Sequence, residues 1–545
     1  MSSGTQASSS DLAFITEVWD HVCLFLPQRS LKNLRLVCPR LNEIALPRLY
    51  QSLRLDAVDD SVARFIKIAK SPKLRGLVRE LTIDTRVSEG FKYHSYNSYP
   101  TPVAFFNALP LLRCFTKVTA LHLRFNEYCG KNDDDEIEET YEFRCQVLNT
   151  ICHCVAGLWT LERQHEIDQI MEGYIHFDDD DKLDYGDQDL EFTTNHPIQL
   201  RELTIANLAD YNDPVLHASE AWNKVTSLPS LVDLKLFVAT EQNRASPENS
   251  VYYQEKYEFF DAIHQKWLSP CLSDNLKVLS LYFHDYWGWL PRMDLRRVGE
   301  DLPFPQLKVL ALGNYVFTHE WQIDWFANVG KKNGSGGLEE LYLDDCPILF
   351  KAEQIGPFDP ANPGYPDYRI VVNGEWNTEI HEYPVRWHQA LTHWMGSMKG
   401  LRVFRMGHGS WWGSSLGDTR ETIKMHEADP DIDERLLSYR LSNNVHRYFA
   451  SPPAVGEGGF GGDLEEEWAS GRYLHGTGLS DTRARRMQYI EYNCGIGPSP
   501  WLETTRRYHN TDGFEPEEGT RAKDDAAYSA MMAAIKARRE GIDFE

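Results

Sequence analysis

L-K-V-L-S-L at Leu276–Leu281 returns as L-K-V-L-A-L at Leu307–Leu312 and as L-E-E-L-Y-L at Leu338–Leu343, with starts 31 residues apart. The alternation that ends each phrase sends its last apolar residues to one side of a strand and the residues between them to the other. The phrase also occurs as V-R-E-L-T-I (Val78–Ile83), V-T-A-L-H-L (Val118–Leu123), L-R-E-L-T-I (Leu200–Ile205), L-V-D-L-K-L (Leu231–Leu236) and L-R-V-F-R-M (Leu401–Met406). A weaker copy, Y-Q-S-L-R-L, begins at Tyr50. One such strand cannot bury its apolar side alone, whereas stacked copies can. Between the phrases, Thr101–Phe115, Arg144–Trp159 and Tyr253–Leu268 carry apolar residues at helical spacing.

These phrases resemble an irregular leucine-rich repeat. The resemblance implies an α/β solenoid, with strands lining an inner face and helices outside. That family often places Asn or Cys three residues after the last apolar position, where it serves the turn; Asn126 and Cys346 match, while Leu208, Ala239, His284 and Tyr315 do not. The alternative is a set of Leu-x-Leu strands in an ordinary α/β domain. Acidic stretches at Asp133–Glu139 and Asp178–Glu191 and a Pro/Gly-containing stretch at Gly356–Gly374 read as solvated insertions. Beyond Trp412 the period is lost. Met487–Tyr492 is expected to form a strand. Lys523–Glu540 is expected to form a helix with Tyr528, Met531 and Ile535 on its apolar face, docked as a cap on the end of the array.

Ahead of the phrases, Ile15, Val18, Trp19, Val22 and Leu26 fall on one face of a helix, with Thr16 or Asp11 as its cap and Pro27 as its stop. A second helix capped by Ser30 places Leu31, Leu34, Val37 and Cys38 on one side, and a third with Pro39 in its first turn buries Leu41, Ile44 and Ala45 and stops near Pro47. About 40 residues cannot hide this many large apolar side chains by themselves, and exposed apolar surface marks an interaction site. The runs E-V-W-D-H-V (Glu17–Val22), L-P (Leu26–Pro27) and S-L-K-N-L-R-L-V-C (Ser30–Cys38) resemble an F-box. Phe14 and Ile15 stand where that family usually has Leu-Pro. The resemblance implies a substrate-recognition subunit of a ubiquitin ligase of the Skp, cullin and F-box type. Ile15, Val18, Val22, Leu26, Leu34, Val37 and Leu41 would then bind the Skp-type adaptor, and through it a cullin. The alternative is a repeat scaffold acting outside any ligase.

The expected fold class is therefore α/β: a three-helix F-box, then an irregular leucine-rich-repeat solenoid with a C-terminal capping region. The expected divisions are a disordered stretch at 1–10, the F-box at 11–50, the solenoid at 51–412 and the capping region at 413–545. On the outward side of the strands stand Glu80, Thr82, Asp84, His122, Arg124, Glu202, Thr204, Asp233, Lys235, Ser280, Glu340 and Asp344. Phe237, Tyr282, His284, Tyr342 and Arg405 lie on that side too and are the expected substrate contacts, because Tyr and Arg carry interface energy. Trp287, Trp289, Trp411 and Trp412 read as loop-packing residues or binding anchors.

A net charge of −25 disfavours nucleic-acid binding. Apolar runs too short or too interrupted to span a bilayer disfavour a membrane. Ten cysteines without a disulfide framework, and no secretory signal in the first ten residues, suit a cytoplasmic or nuclear protein. Gly456, Gly458 and Gly461 satisfy G-x-G-x-x-G but lie between Pro452–Pro453 and Asp463–Glu467, a poor setting for a phosphate. Cys145, Cys152, His153 and Cys154 match no zinc spacing, and His388 and His393 are five apart, the wrong step for one helix face. No enzymatic activity, metal or cofactor is expected.

Overall fold

The computed structural model describes residues 9–23, 25–26, 28–57, 59–85, 103–125, 141–171, 183, 185, 196–239, 254–298, 303–331, 336–344, 346–355, 370–373, 378–407, 487–494 and 515–541. Three helices come first: α1 (Ser9–Cys23), α2 (Gln28–Leu34) and α3 (Pro39–Leu49). Strand β1 (Ser52–Asp56) is followed by α4 (Asp59–Ala69) and α5 (Pro72–Arg75), and β2 (Glu80–Asp84) by α6 (Val103–Ala108) and a 3₁₀ turn at Leu109–Cys114. Next come β3 (Ala120–Arg124), α7 (Tyr141–Val155) and α8 (Leu161–Met171), then β4 (Glu202–Ala209), α9 (Pro214–Ala218) and α10 (Glu220–Thr226). Strand β5 (Asp233–Ala239) leads to α11 (Gln254–Lys266) and α12 (Pro270–Ser273), and β6 (Val278–Trp287) runs to β7 (Val309–Tyr315) and α13 (Glu320–Asn328). The chain continues through β8 (Glu340–Asp344), β9 (Ile348–Ile355), β10 (Ile370–Asn373), β11 (Thr378–Glu382), α14 (Trp387–Ser397), β12 (Val403–Gly407), β13 (Tyr489–Cys494) and α15 (Thr520–Glu540).

Strands β1 to β8 and β12 pair side by side, in that order and all parallel, as one nine-stranded sheet. Its register is carried by two apolar rows. One runs Leu53, Leu81, Leu121, Leu203, Leu234, Leu279, Leu310, Leu341, Phe404, and the other Leu55, Ile83, Leu123, Ile205, Leu236, Leu281, Leu312, Leu343, Met406. All of these are buried in one continuous core under helices such as α4 and α7. Burying each such side chain stabilises the fold by about 1.5–3 kcal/mol, before the entropy of ordering the chain is counted.

Where each strand starts, a single carbonyl of the previous strand's leading residue accepts two consecutive amides. Gln51 O takes the N–H groups of Arg79 and Glu80, and Arg79 O those of Thr119 and Ala120. The same pairing repeats at Thr119, Arg201, Val232, Lys277, Lys308 and Glu339, the last taking Arg402 and Val403. Toward the far end of two strands an asparagine in left-handed backbone sits where the register shifts: Asn207 (φ 56°) in β4 and Asn314 (φ 62°) in β7 donate from Nδ2 to Phe125 O (2.8 Å) and Phe283 O (2.6 Å). These stand seven residues after the phrase start, one place earlier than expected. Cys346, at the expected place, donates its thiol to Leu312 O at 3.4 Å; Asn126 lies outside the described residues.

The α/β class stands, but the expected F-box followed by a leucine-rich-repeat solenoid is corrected to a layered fold on two sheets. From one strand start to the next the chain runs from 28 residues (Ser52 to Glu80) to 82 (Ala120 to Glu202), so the 31-residue step seen from Glu202 to Asp233 and from Val278 through Val309 to Glu340 does not hold across the sheet. Between β8 and β12 the chain leaves the large sheet for a second one ordered β10-β11-β9-β13, with β9 antiparallel to β11 and parallel to β13. The two sheets meet at Phe317, whose N–H donates to Pro347 O and whose carbonyl accepts from Leu349 (both 2.9 Å).

At the N-terminus a compact three-helix F-box is not clearly formed. Helix α2 has only seven residues, and Val37 and Cys38, expected on it, lie beyond its end. Thr16 and Asp11 lie inside α1, and Ser30 lies inside α2, so none of them caps a helix. Pro47 sits inside α3, which runs on to Leu49. At the other end of the chain α15 packs on α14 and touches β12, with Met531, Ala534 and Ile535 buried. The buried Asp524 carboxylate accepts from the His388 amide (2.8 Å), His388 Nδ1 (2.9 Å) and the Tyr489 hydroxyl (2.7 Å). The rest of the expected capping region lies largely outside the described residues.

Candidate functional site

The N-terminal helices turn only part of their apolar surface inward. Cys23, Leu31, Ile44, Ala45 and Leu49 form a small separate core, with Trp19, Leu26, Leu34, Leu41 and Tyr50 packed around it. Two polar ties hold α1 on α3. The Arg48 guanidinium donates to both oxygens of Asp20 (3.2 and 2.8 Å), and Arg40 donates to the Thr16 hydroxyl (2.7 Å). The hydrogen bond from Arg48 holds the Asp20 carboxyl below the usual carboxylate range.

Among the residues that remain outward are several large apolar ones. Val18 and Val22, one turn apart on α1, are exposed. Phe25, just past the end of α1, is 76% exposed, and Leu36 and Val37 are 78% and 70% exposed. A turn bonded from Leu36 N to Asn33 O and from Val37 N to Leu34 O projects the last two from the end of α2. Of the eight large apolar side chains exposed among the described residues, these five fall between Val18 and Val37. Such a concentration is what an interaction surface needs. Of the expected adaptor contacts, Val18, Val22 and Val37 lie on this surface, while Leu26, Leu34 and Leu41 serve the small core. The side chain of Ile15 lies outside the described residues. Phe25 and Leu36 were missed by the sequence reading, because they sit in turns off any helical stripe.

The second face of the large sheet is polar and mostly closed. One row across it reads Arg54, Thr82, His122, Thr204, Lys235, Ser280, Ala311, Tyr342, Arg405, and the row before it supplies Glu80, Glu202, Asp233 and Glu340. Lys235 is 0% exposed and pairs at 2.7 Å with both Glu202 and Asp233. The Tyr342 hydroxyl donates to Glu340 (2.7 Å), and His122 lies 4.0 Å from Glu80. Asp84 is shared by Arg54 and Arg124. This is a set of internally neutralised pairs.

Of the expected substrate contacts, Phe237 and Tyr282 are direct cross-strand neighbours, as are Tyr342 and Arg405. Phe237, Tyr282 and Tyr342 are buried, however, and Tyr282 lies over Gly313, where a Cβ would stand 2.1 Å from its ring. They pack the sheet rather than offer an open surface. Arg405 is half-buried, and the side chain of His284 lies outside the described residues. Trp287 and Trp289 are buried, donating to Gly313 O (2.7 Å) and the Tyr383 hydroxyl (2.8 Å); Trp411 and Trp412 lie outside the described residues.

Among the described residues no group of three His, Cys, Asp or Glu side chains is placed to hold a metal ion, and no helix is long and apolar enough to cross a membrane. Burial pushes the Cys152 and Cys154 thiols up to about 12, so neither is a ready nucleophile. His388 and His393 have separate partners, Asp524 and Asp324. The stretch Gly456–Gly461 lies outside the described residues.

Two buried histidines carry a pH prediction. Burial lowers His217 and His319 to about 4, assisted by Lys266 and Arg296 respectively. In the unfolded chain each titrates near 6.5, so between about 6.5 and 4 the unfolded state binds more protons and stability falls as pH falls. Each site is expected to cost on the order of 3 kcal/mol by pH 4 and nothing above about pH 7. Urea unfolding of the wild type and of His217→Phe across this window tests it; equal pH slopes would refute the His217 contribution.

Compared with known proteins, the chain matches no family model and no curated protein.

Proposed function

We propose that this chain is the substrate-recognition subunit of a ubiquitin ligase of the Skp, cullin and F-box type. Its N-terminal helices dock on the Skp-type adaptor, and the sheet-bearing remainder holds a protein substrate. The observation that carries this reading is the exposed apolar surface of Val18, Val22, Phe25, Leu36 and Val37 on a helical segment with a small core of its own. The F-box-like runs at Glu17–Val22 and Ser30–Cys38 name the kind of partner. The receptor performs no bond chemistry; it raises the effective concentration of substrate lysines near a ubiquitin-loaded enzyme. Because Phe237, Tyr282 and Tyr342 are closed off, the substrate contact is assigned to the sheet-bearing part as a whole.

Phe25→Asp combined with Leu36→Asp tests the docking surface. Substitutions at exposed positions change stability by about 0.5 kcal/mol or less. Burying two charges in an apolar interface is expected to cost at least about 2 kcal/mol, roughly a 30-fold loss of adaptor affinity. Calorimetric titration of a Skp-type adaptor reads this directly. A wild-type chain that fails to bind the adaptor at micromolar concentration would refute the reading. Adaptor binding that excludes cullin from the complex would favour a scaffold outside the ligase.

A further inference from the structure

Two apolar cores of this chain meet at one residue. The small N-terminal core and the large core under the nine-stranded sheet both count the half-buried Tyr50 among the side chains packed against them. The connector between them is only two residues long, Tyr50 and Gln51, between the end of α3 at Leu49 and the start of β1 at Ser52. Both are held. The Tyr50 amide donates to Leu46 O (3.1 Å), closing the last turn of α3. The Gln51 carbonyl accepts from Arg79 (2.8 Å) and Glu80 (3.1 Å), which fastens it to β2. The Gln51 side chain also accepts from Arg48 (3.4 Å), the residue that grips Asp20 on α1.

A short connector with a backbone bond at each of its two residues, and a half-buried ring packed against both cores, has little freedom to rock. We propose that Tyr50 is a positioning residue that fixes the angle between the N-terminal helices and the sheet-bearing part. Its consequence for ubiquitin transfer rests on the ligase reading; the rigid joint itself does not. Transfer between two bound partners depends on their mutual orientation as well as on their proximity. A receptor hinged freely at this point would spread its lysines over many orientations, few of them productive.

The test uses the full chain carrying spin labels at the exposed Glu17 and Lys224, attached by chemistry that spares the ten cysteines. Pulsed resonance is expected to give one narrow distance distribution for the wild type and for Tyr50→Phe, and one at least twice as broad for Tyr50→Ala. Inserting two glycines between Tyr50 and Gln51 keeps every apolar side chain and is expected to broaden it as much; this variant carries the test if Tyr50→Ala fails to fold. Unchanged distributions in a folded Tyr50→Ala and in the insertion variant would overturn the proposal. In a reconstituted complex, ubiquitin transfer to the receptor's own lysines is expected to fall at least fivefold in Tyr50→Ala. Adaptor affinity should stay within twofold, and Tyr50→Phe should restore the rate. Broadened distances in a chain that binds no adaptor would leave the joint standing and sink the ligase reading alone.

Discussion

Lys235→Ala is expected to lower the free energy of unfolding by about 3–5 kcal/mol, the range for leaving buried charges uncompensated. Lys235 is fully buried, with Glu202 on one neighbouring strand and Asp233 on its own strand, each at 2.7 Å. Without the ammonium, two carboxylates in adjacent strands face each other with no cation between them. About a fifth of each carboxylate side chain still meets solvent, so the lower end of the range is the expected value. Lys235→Met together with Glu202→Gln and Asp233→Asn removes the charges as a set, and is expected to recover more than half of the loss. Chemical denaturation of the three proteins measures this. A cost below about 1 kcal/mol for Lys235→Ala would mean the pair behaves as a screened surface bridge.

Phe317→Ala is expected to cost about 3–5 kcal/mol, as for other large aromatic truncations in a packed core. Its fully buried ring touches those of Tyr315, Phe326, Trp387 and Trp394, with centroids 5.1 to 6.1 Å away. Alanine leaves the backbone bonds to Pro347 and Leu349 in place, so the loss reports the ring alone. Phe317→Leu keeps most of the volume and is expected to cost about 1.5 kcal/mol or less. Equal destabilisation by both substitutions would refute the packing account.

The strand positions were legible because a period of two in apolar residues has only one useful geometry: the fourth and sixth places of every phrase, such as Leu279 and Leu281, fall on the core side of an observed strand. Helices with strong amphipathic stripes were legible for the same reason, as Gln254–Lys266 and Thr520–Glu540 illustrate. The second sheet was not, since Ile370–Asn373 and Thr378–Glu382 are short, pair antiparallel with each other, and join the sheet only through the pairing of the latter with Ile348–Ile355. Nor was the closure of the polar face. Alternation tells which side chains share a face, but not whether solvent reaches it, and Tyr282 over Gly313 needs the register to be known. At the candidate docking surface, periodicity found Val18 and Val22. It also offered Leu26, Leu34 and Leu41, which share the stripe but close the helices on each other. Phe25 and Leu36 obey no period, because turns hold them.

The forked carbonyl at the start of each strand bears on how this chain tolerates change. Eight such carbonyls, from Gln51 to Glu339, seat β2 to β8 and β12 against their neighbours in the large sheet, whatever length of chain came between. Alignment is thereby reset nine strands long and does not accumulate error from one connection to the next. New sequence spliced into the stretches joining the strands is therefore expected to leave the sheet unsheared, since connections of 28 and 82 residues already arrive at the same junction geometry at β2 and β4.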